Sequence, residues 1–157
     1  MEIDFQLLWD TVTAQYAGSL YSIHGSAHWR RVEQNGLLLA QRTDADVTIV
    51  KLFALFHDSM RINKGTDDGH GERGAIYAAE LRGKLFTLDD ARFALLRDAC
   101  IGHTDEGHSD NPTIGTCWDA DRLDLGRVGI IPDEAYMSTA FGKEIARAGS
   151  IFPFLPK

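Results

Sequence analysis

His57 and Asp58 stand side by side at the end of a run, Ile49 to Phe56, that is apolar except for Lys51. A carboxylate beside a core helix is costly to bury alone, and a bound cation offsets that cost. All six histidines lie between residues 24 and 108, most of them at a helix end or beside a glycine-rich loop. His24 and His28 are four apart, the spacing of one helical face. His57 closes a core helix, His70 opens the next, His103 ends another, and Asp119, Asp121 and Asp124 follow in "CWDADRLDLG". Imidazoles and carboxylates on several helix ends suit a divalent metal, because each ligand must approach from its own direction. Adjacent helical residues point about 100° apart. His57 and Asp58 therefore share an ion only if it lies off the helix edge between them, which also places Asp58 to bridge a second ion.

These groups must be held by helices. Phe5, Leu8, Trp9, Val12 and Tyr16 recur at helical spacing, predicting a helix over residues 3–17. A second is expected over 26–42, with Trp29, Val32, Gly36 and Ala40 along one face. Asp44 or Asp46 caps a third that runs to about residue 59. "VTIVKLF" alone is β-branched enough for a strand, but the apolar pattern over about 14 residues favours a buried helix. After a polar, glycine-rich loop over 61–74, helices are expected over 70–84 and from Thr87–Asp89–Asp90 to about 103. A loop over 104–116, a sixth helix over 117–127 and a seventh over 133–148 complete the chain. The seventh carries Met137, Phe141, Ile145 and Ala148 as its inward stripe and Gly149 as its stop. No strand is expected, and the fold class is all-α: a single bundle of six to seven helices spanning 1–157, with its motif-bearing core over about 20–130 and a terminal helix and tail over 131–157. Trp118, Cys100 and Cys117 are expected in the core, Arg30 and Arg31 in water, and the apolar tail "IFPFLPK" docked on the body.

The composition bounds the function. The chain has 157 residues, 44% hydrophobic and 25% charged, as in an ordinary globular protein large enough to bury a core. A net charge of -7 argues against a broad nucleic-acid surface but not against a small anion held by a few local cations. Two cysteines are too few for a disulfide framework, so a reducing cytoplasm is expected. The acidic, amphipathic N-terminus is unlike a signal peptide, and no membrane association is expected. The apolar tail and terminal helix leave room for a homodimer.

"HGSAHWRRV", "LFALFHDS", "GHGERGA" and "DADRLDLG", in this order, resemble the HD-domain superfamily of metal-dependent phosphohydrolases. The resemblance covers roughly residues 20–130. It implies an all-helical fold whose metal is bound by His28, His57, Asp58 and Asp121. Asp121 is preferred to Asp119 because it fills the "AD-x-L" position in "ADRL". His70 and His103 stand in the order of a second-metal pair, or contact a substrate phosphate, while His24 and His108 match no ligand position. One ion per chain is expected, or two if His70 and His103 are ligands; it could be Mn, Mg, Fe, Co or Zn, since this ligand chemistry does not choose.

The function expected is hydrolysis of a small phosphorylated metabolite or nucleotide, with Asp58, Arg61 and His103 as the catalytic set. Of Arg61, Lys64, Arg73 and Arg122, one or two would clamp the anion. Two other readings remain: a non-catalytic module that binds a nucleotide or metal, and a di-iron oxygenase on the same fold.

Overall fold

The segment with the strongest β-branched signal is the most enclosed helix of the molecule. In the computed structural model, which describes residues 2–19 and 21–156, α3 (Val47–Phe56) packs against α1 (Phe5–Gln15), α2 (Ser26–Ala40), α4 (His70–Leu81), α5 (Asp90–Gly102) and α6 (Pro112–Arg122). Leu52, Phe53, Ala54, Leu55 and Phe56 are all fully buried. Burial on every side rewards apolar bulk wherever it points and overrides the modest helix penalty of Val, Ile and Thr. Lys51 stays at the edge, its ammonium 4.0 Å from the Phe5 ring centre. Of the two capping candidates it is Asp46 that caps α3, accepting from the amides of Thr48 and Ile49, and Arg92 of α5 grips the same carboxylate at 2.7 Å. That pair fixes α5 across the start of the central helix.

Seven α-helices and no strand occur among the described residues, an all-α bundle. The first five helices fall where the sequence places them, each a few residues shorter. The sixth does not: α6 begins at Pro112, not at residue 117. Asn111 accepts from the amides of Thr113 and Ile114, and Pro112 occupies the first turn, where a missing N–H costs nothing. It ends at Arg122 and tightens into a 3-10 helix, Leu123–Val128, closed by Gly129 in the left-handed region.

The seventh helix is also shorter than expected. Asp133 caps only a single 3-10 turn, Glu134–Tyr136, and α7 (Ala140–Ala148) starts later, capped by Thr139. Phe141 and Ile145 face inward and Met137 is buried just ahead of the helix, but Ala148 is exposed. The tail docks in part: Phe154 meets Phe141 edge to face at 5.7 Å, while Phe152 points to solvent. Met1, Leu20 and Lys157, which fall within the expected domain, its core and its tail, lie outside the described residues. Trp118, Cys100 and Cys117 are buried as expected, with the Trp118 indole donating to the Ala99 carbonyl. Among the described residues no helix is long and apolar enough to cross a membrane.

Candidate metal centre

Five helix ends converge on Asp58. His57 is the C-terminal cap of α3, and Asp58 follows it in the turn. His28 comes from the first turn of α2, His70 from the first residue of α4, His103 from the C-terminal cap of α5, and Asp121 from the last turn of α6. Asp58 Oδ2 lies 3.3 Å from His28 Nε2 and 3.5 Å from His57 Nε2, and Asp121 Oδ1 lies 3.1 and 3.4 Å from the same two nitrogens. On its other side, Asp58 Oδ1 lies 3.1 Å from His70 Nε2 and 3.5 Å from His103 Nε2. Two ligand-type groups, His28–His57–Asp58 and Asp58–His70–His103, thus share one carboxylate.

The hydrogen bonds behind the rings set their tautomers. The His57 Nδ1–H donates to the carbonyls of Phe53 and Ala54, that of His70 to Asp67, and that of His103 to Cys100. A carbonyl oxygen only accepts, so Nδ1 carries the proton and Nε2 presents a lone pair to the centre. His28 donates from Nδ1 to Asp124 Oδ2 at 2.7 Å, a carboxylate behind a ligand-type histidine. The opposed nitrogens are close: His28 and His57 Nε2 are 3.1 Å apart, His70 and His103 Nε2 3.0 Å. Two lone pairs at that separation repel unless a cation or a proton lies between them. Asp121 Oδ1 is buried without a hydrogen-bond partner. Nitrogen and carboxylate donors that face one another with nothing to accept from fit a divalent ion.

Without an ion, charge balance falls to protons. Burial opposes a charged ring at His28, but the carboxylates of Asp121, Asp124 and Asp58 outweigh it and raise its pKa to about 10. Burial likewise opposes ionised Asp58 and Asp121, yet the surrounding histidines hold both well below the usual carboxylate range. His103 is raised, Asp58 and Asp121 overcoming its desolvation.

Asp121, not Asp119, faces the centre. Asp119 turns away from the centre, accepting from the amides of Ser138 and Thr139 and from the Thr139 hydroxyl, and so anchors the start of α7. The four cations near the motifs also divide. Arg73 pairs with Asp67 at 2.6 Å, and Arg122 donates to the carbonyls of Glu106, Gly107 and Tyr136. Arg61 and Lys64 line a cleft of about 710 Å³ over the His70 side of the centre, and Arg61 Nε lies 3.4 Å from Asp58 Oδ1. His108, in the loop after α5, donates to the carbonyl of Ala135.

The contacts of Asp124, Arg31 and His24 at the centre were not expected from the sequence. Asp124 lies one turn beyond Asp121 and supports His28; Arg31, expected in water, reaches it at 2.8 Å. His24 is not on the face of α2, which starts at Ser26, but in the turn before it, with Nδ1 3.5 Å from Asp58 Oδ2.

This arrangement of helices is matched by the crystal structure of a predicted HD superfamily hydrolase from an uncultured Thermotogales bacterium. The two superpose with a TM-score of 0.71 over 97% of this chain and 88% of that one, at 25% sequence identity. The protein has the HD-domain fold. No family model matches the sequence, and no curated protein does. In this HD domain the buried His and Asp groups can hold a divalent metal ion.

Proposed function

We propose that the protein is a metal-dependent phosphohydrolase that acts on a small phosphorylated metabolite or nucleotide. The observation that carries this reading is the ring of inward-facing Nε2 lone pairs and the unpartnered Asp121 oxygen around Asp58, beside a cleft that His70 lines together with Arg61 and Lys64. His28, His57, Asp58 and Asp121 would hold the ion, which would supply Lewis acidity toward a phosphoryl oxygen and make water a better nucleophile. Asp58, kept ionised, is an acceptor for a proton of the attacking water. Arg61, anchored through its Nη1 to the carbonyls of Asn63 and Gly65, brings positive charge to the cleft wall, where it offsets charge developing on the phosphoryl group. His103, opposite Asp58 Oδ1, holds or passes a proton on the far side.

Cation supply supports a single phosphate. Arg73 is taken by Asp67, Arg122 by loop carbonyls, and Arg127 by the Ile23 carbonyl and Asp124. Arg61, itself held by the Asn63 and Gly65 carbonyls, lines the cleft together with Lys64, and two cations suit one phosphate better than a triphosphate.

Elemental analysis of gently purified protein, followed by a phosphate-release screen of sugar phosphates, nucleoside monophosphates and p-nitrophenyl phosphate, tests the reading. Bound Mn, Fe, Co or Zn together with release from at least one ester is the expected result. Metal-loaded protein that releases phosphate from no ester overturns it. The second group, Asp58–His70–His103, favours one other reading, a di-iron oxygenase; two irons per chain and dioxygen consumption would promote it.

A further inference from the structure

We propose that His24 orients the attacking water, as a second acceptor beside Asp58; this rests on the phosphohydrolase reading. His24 is held from three directions. Its carbonyl accepts from the Trp29 indole at 2.7 Å, its amide donates to the Ser22 hydroxyl, and its Nε2 donates to the Lys64 carbonyl at 3.3 Å. The last bond decides the tautomer: Lys64 O only accepts, so a neutral ring carries its proton on Nε2 and its lone pair on Nδ1. This is the reverse of His28, His57, His70 and His103, whose Nε2 atoms face the centre. Nδ1 of His24 is buried, has no hydrogen-bond partner, and lies 3.5 Å from Asp58 Oδ2. A lone pair and a carboxylate oxygen side by side repel unless a proton, a cation or a donor of two hydrogens meets them. A water that directs both its hydrogens there keeps its oxygen lone pairs free for attack.

His24 belongs to neither group of residues able to hold an ion, yet it lines the same cleft as Arg61, Lys64 and His70. It therefore stands on the substrate side of Asp58. Its bond to Lys64 also ties it to the loop that forms the cleft wall.

Two near-isosteric replacements separate its two bonds. A carboxamide in His24→Asn reaches the Nδ1 position, and one in His24→Gln reaches the Nε2 position. Each metal-loaded variant is compared with the parent by metal content, inhibition by inorganic phosphate, and kcat and KM on an ester that the parent hydrolyses. His24→Gln is expected to keep its metal, its phosphate inhibition and its KM within about twofold while kcat falls about 100-fold, the scale of a misplaced reactant. His24→Asn should recover at least a tenth of the parent kcat. Full kcat in His24→Gln overturns the proposal, as does loss of metal from either variant or an effect confined to KM. If the metal-loaded parent hydrolyses no ester, the phosphohydrolase reading falls and this inference with it; any failure seen only in the variants counts against His24 alone.

Discussion

The two halves of the centre are built differently. The His28–His57 half is closed by core helices and carries two further carboxylates, Asp121 facing the rings and Asp124 behind His28. The His70–His103 half takes its near carboxylate from Asp58, with Asp121 acting on His103 from farther off, and both its rings lean on backbone carbonyls, His70 lining an open cleft. More fixed negative charge and less solvent favour tighter cation binding. On the proposed function, the first half would hold a retained ion and the second an exchangeable ion or substrate.

Asp58→Ala should have the largest effect, because it removes the residue that both halves share: metal content falls to background by elemental analysis and turnover is lost. Retained turnover in that variant would sink the mechanism. His57→Ala should abolish bound metal as well, whereas His103→Ala should leave the first ion in place and act mainly on rate. Equal metal loss from both would erase the distinction between the halves.

Asp124→Asn should weaken metal affinity by about 10- to 100-fold, the usual scale for the partner of a ligating histidine, read by competition with a chromophoric chelator. The pH dependence sharpens the same point. In metal-free protein His28 is raised to about 10 from 6.5, so its contribution to stability is complete below pH 6.5 and is lost progressively as pH rises toward about 10. Asp58 and Asp121, held low, contribute stability that is present above 3.8 and lost as pH falls through their folded values. The melting temperature of chelator-treated protein should therefore drop from pH 7 to 10, and metal should flatten that drop. The smallest effect on the centre should come from Asp119→Ala, which leaves three donors around α7 unmatched. It should cost about 1–3 kcal/mol of stability by denaturant unfolding with metal content unchanged.

The all-α fold was legible because helical periodicity is a local signal, and the His57–Asp58 pair stood out because it interrupts an apolar run; the convergence of His28 and Asp121 on that pair was expected only from the resemblance. The start of α6 was legible too, in Asn111–Pro112, but the glycine and proline of that region favoured a loop reading over a cap. Asp133 misled for the opposite reason: a good capping residue opened only one 3-10 turn, since the anchor for α7 is Asp119, 20 residues before Thr139. His24 and Asp124 were not legible. Their roles come from a turn and a 3-10 helix that converge from opposite ends of the motif-bearing region, and no spacing rule records that meeting.

Gly71 and Gly74 lie on one face of α4. A methyl group on Gly74 would overlap the Phe56 carbonyl, and one on Gly71 would overlap the Cys100 carbonyl and crowd His103. The separation of His70 from Asp58 is therefore set by missing atoms. A single added carbon would act as a spacer, lifting α4 like a shim and widening the centre without touching any of its ligand-type residues. Damage to this site can thus arise from positions that carry no chemistry of their own.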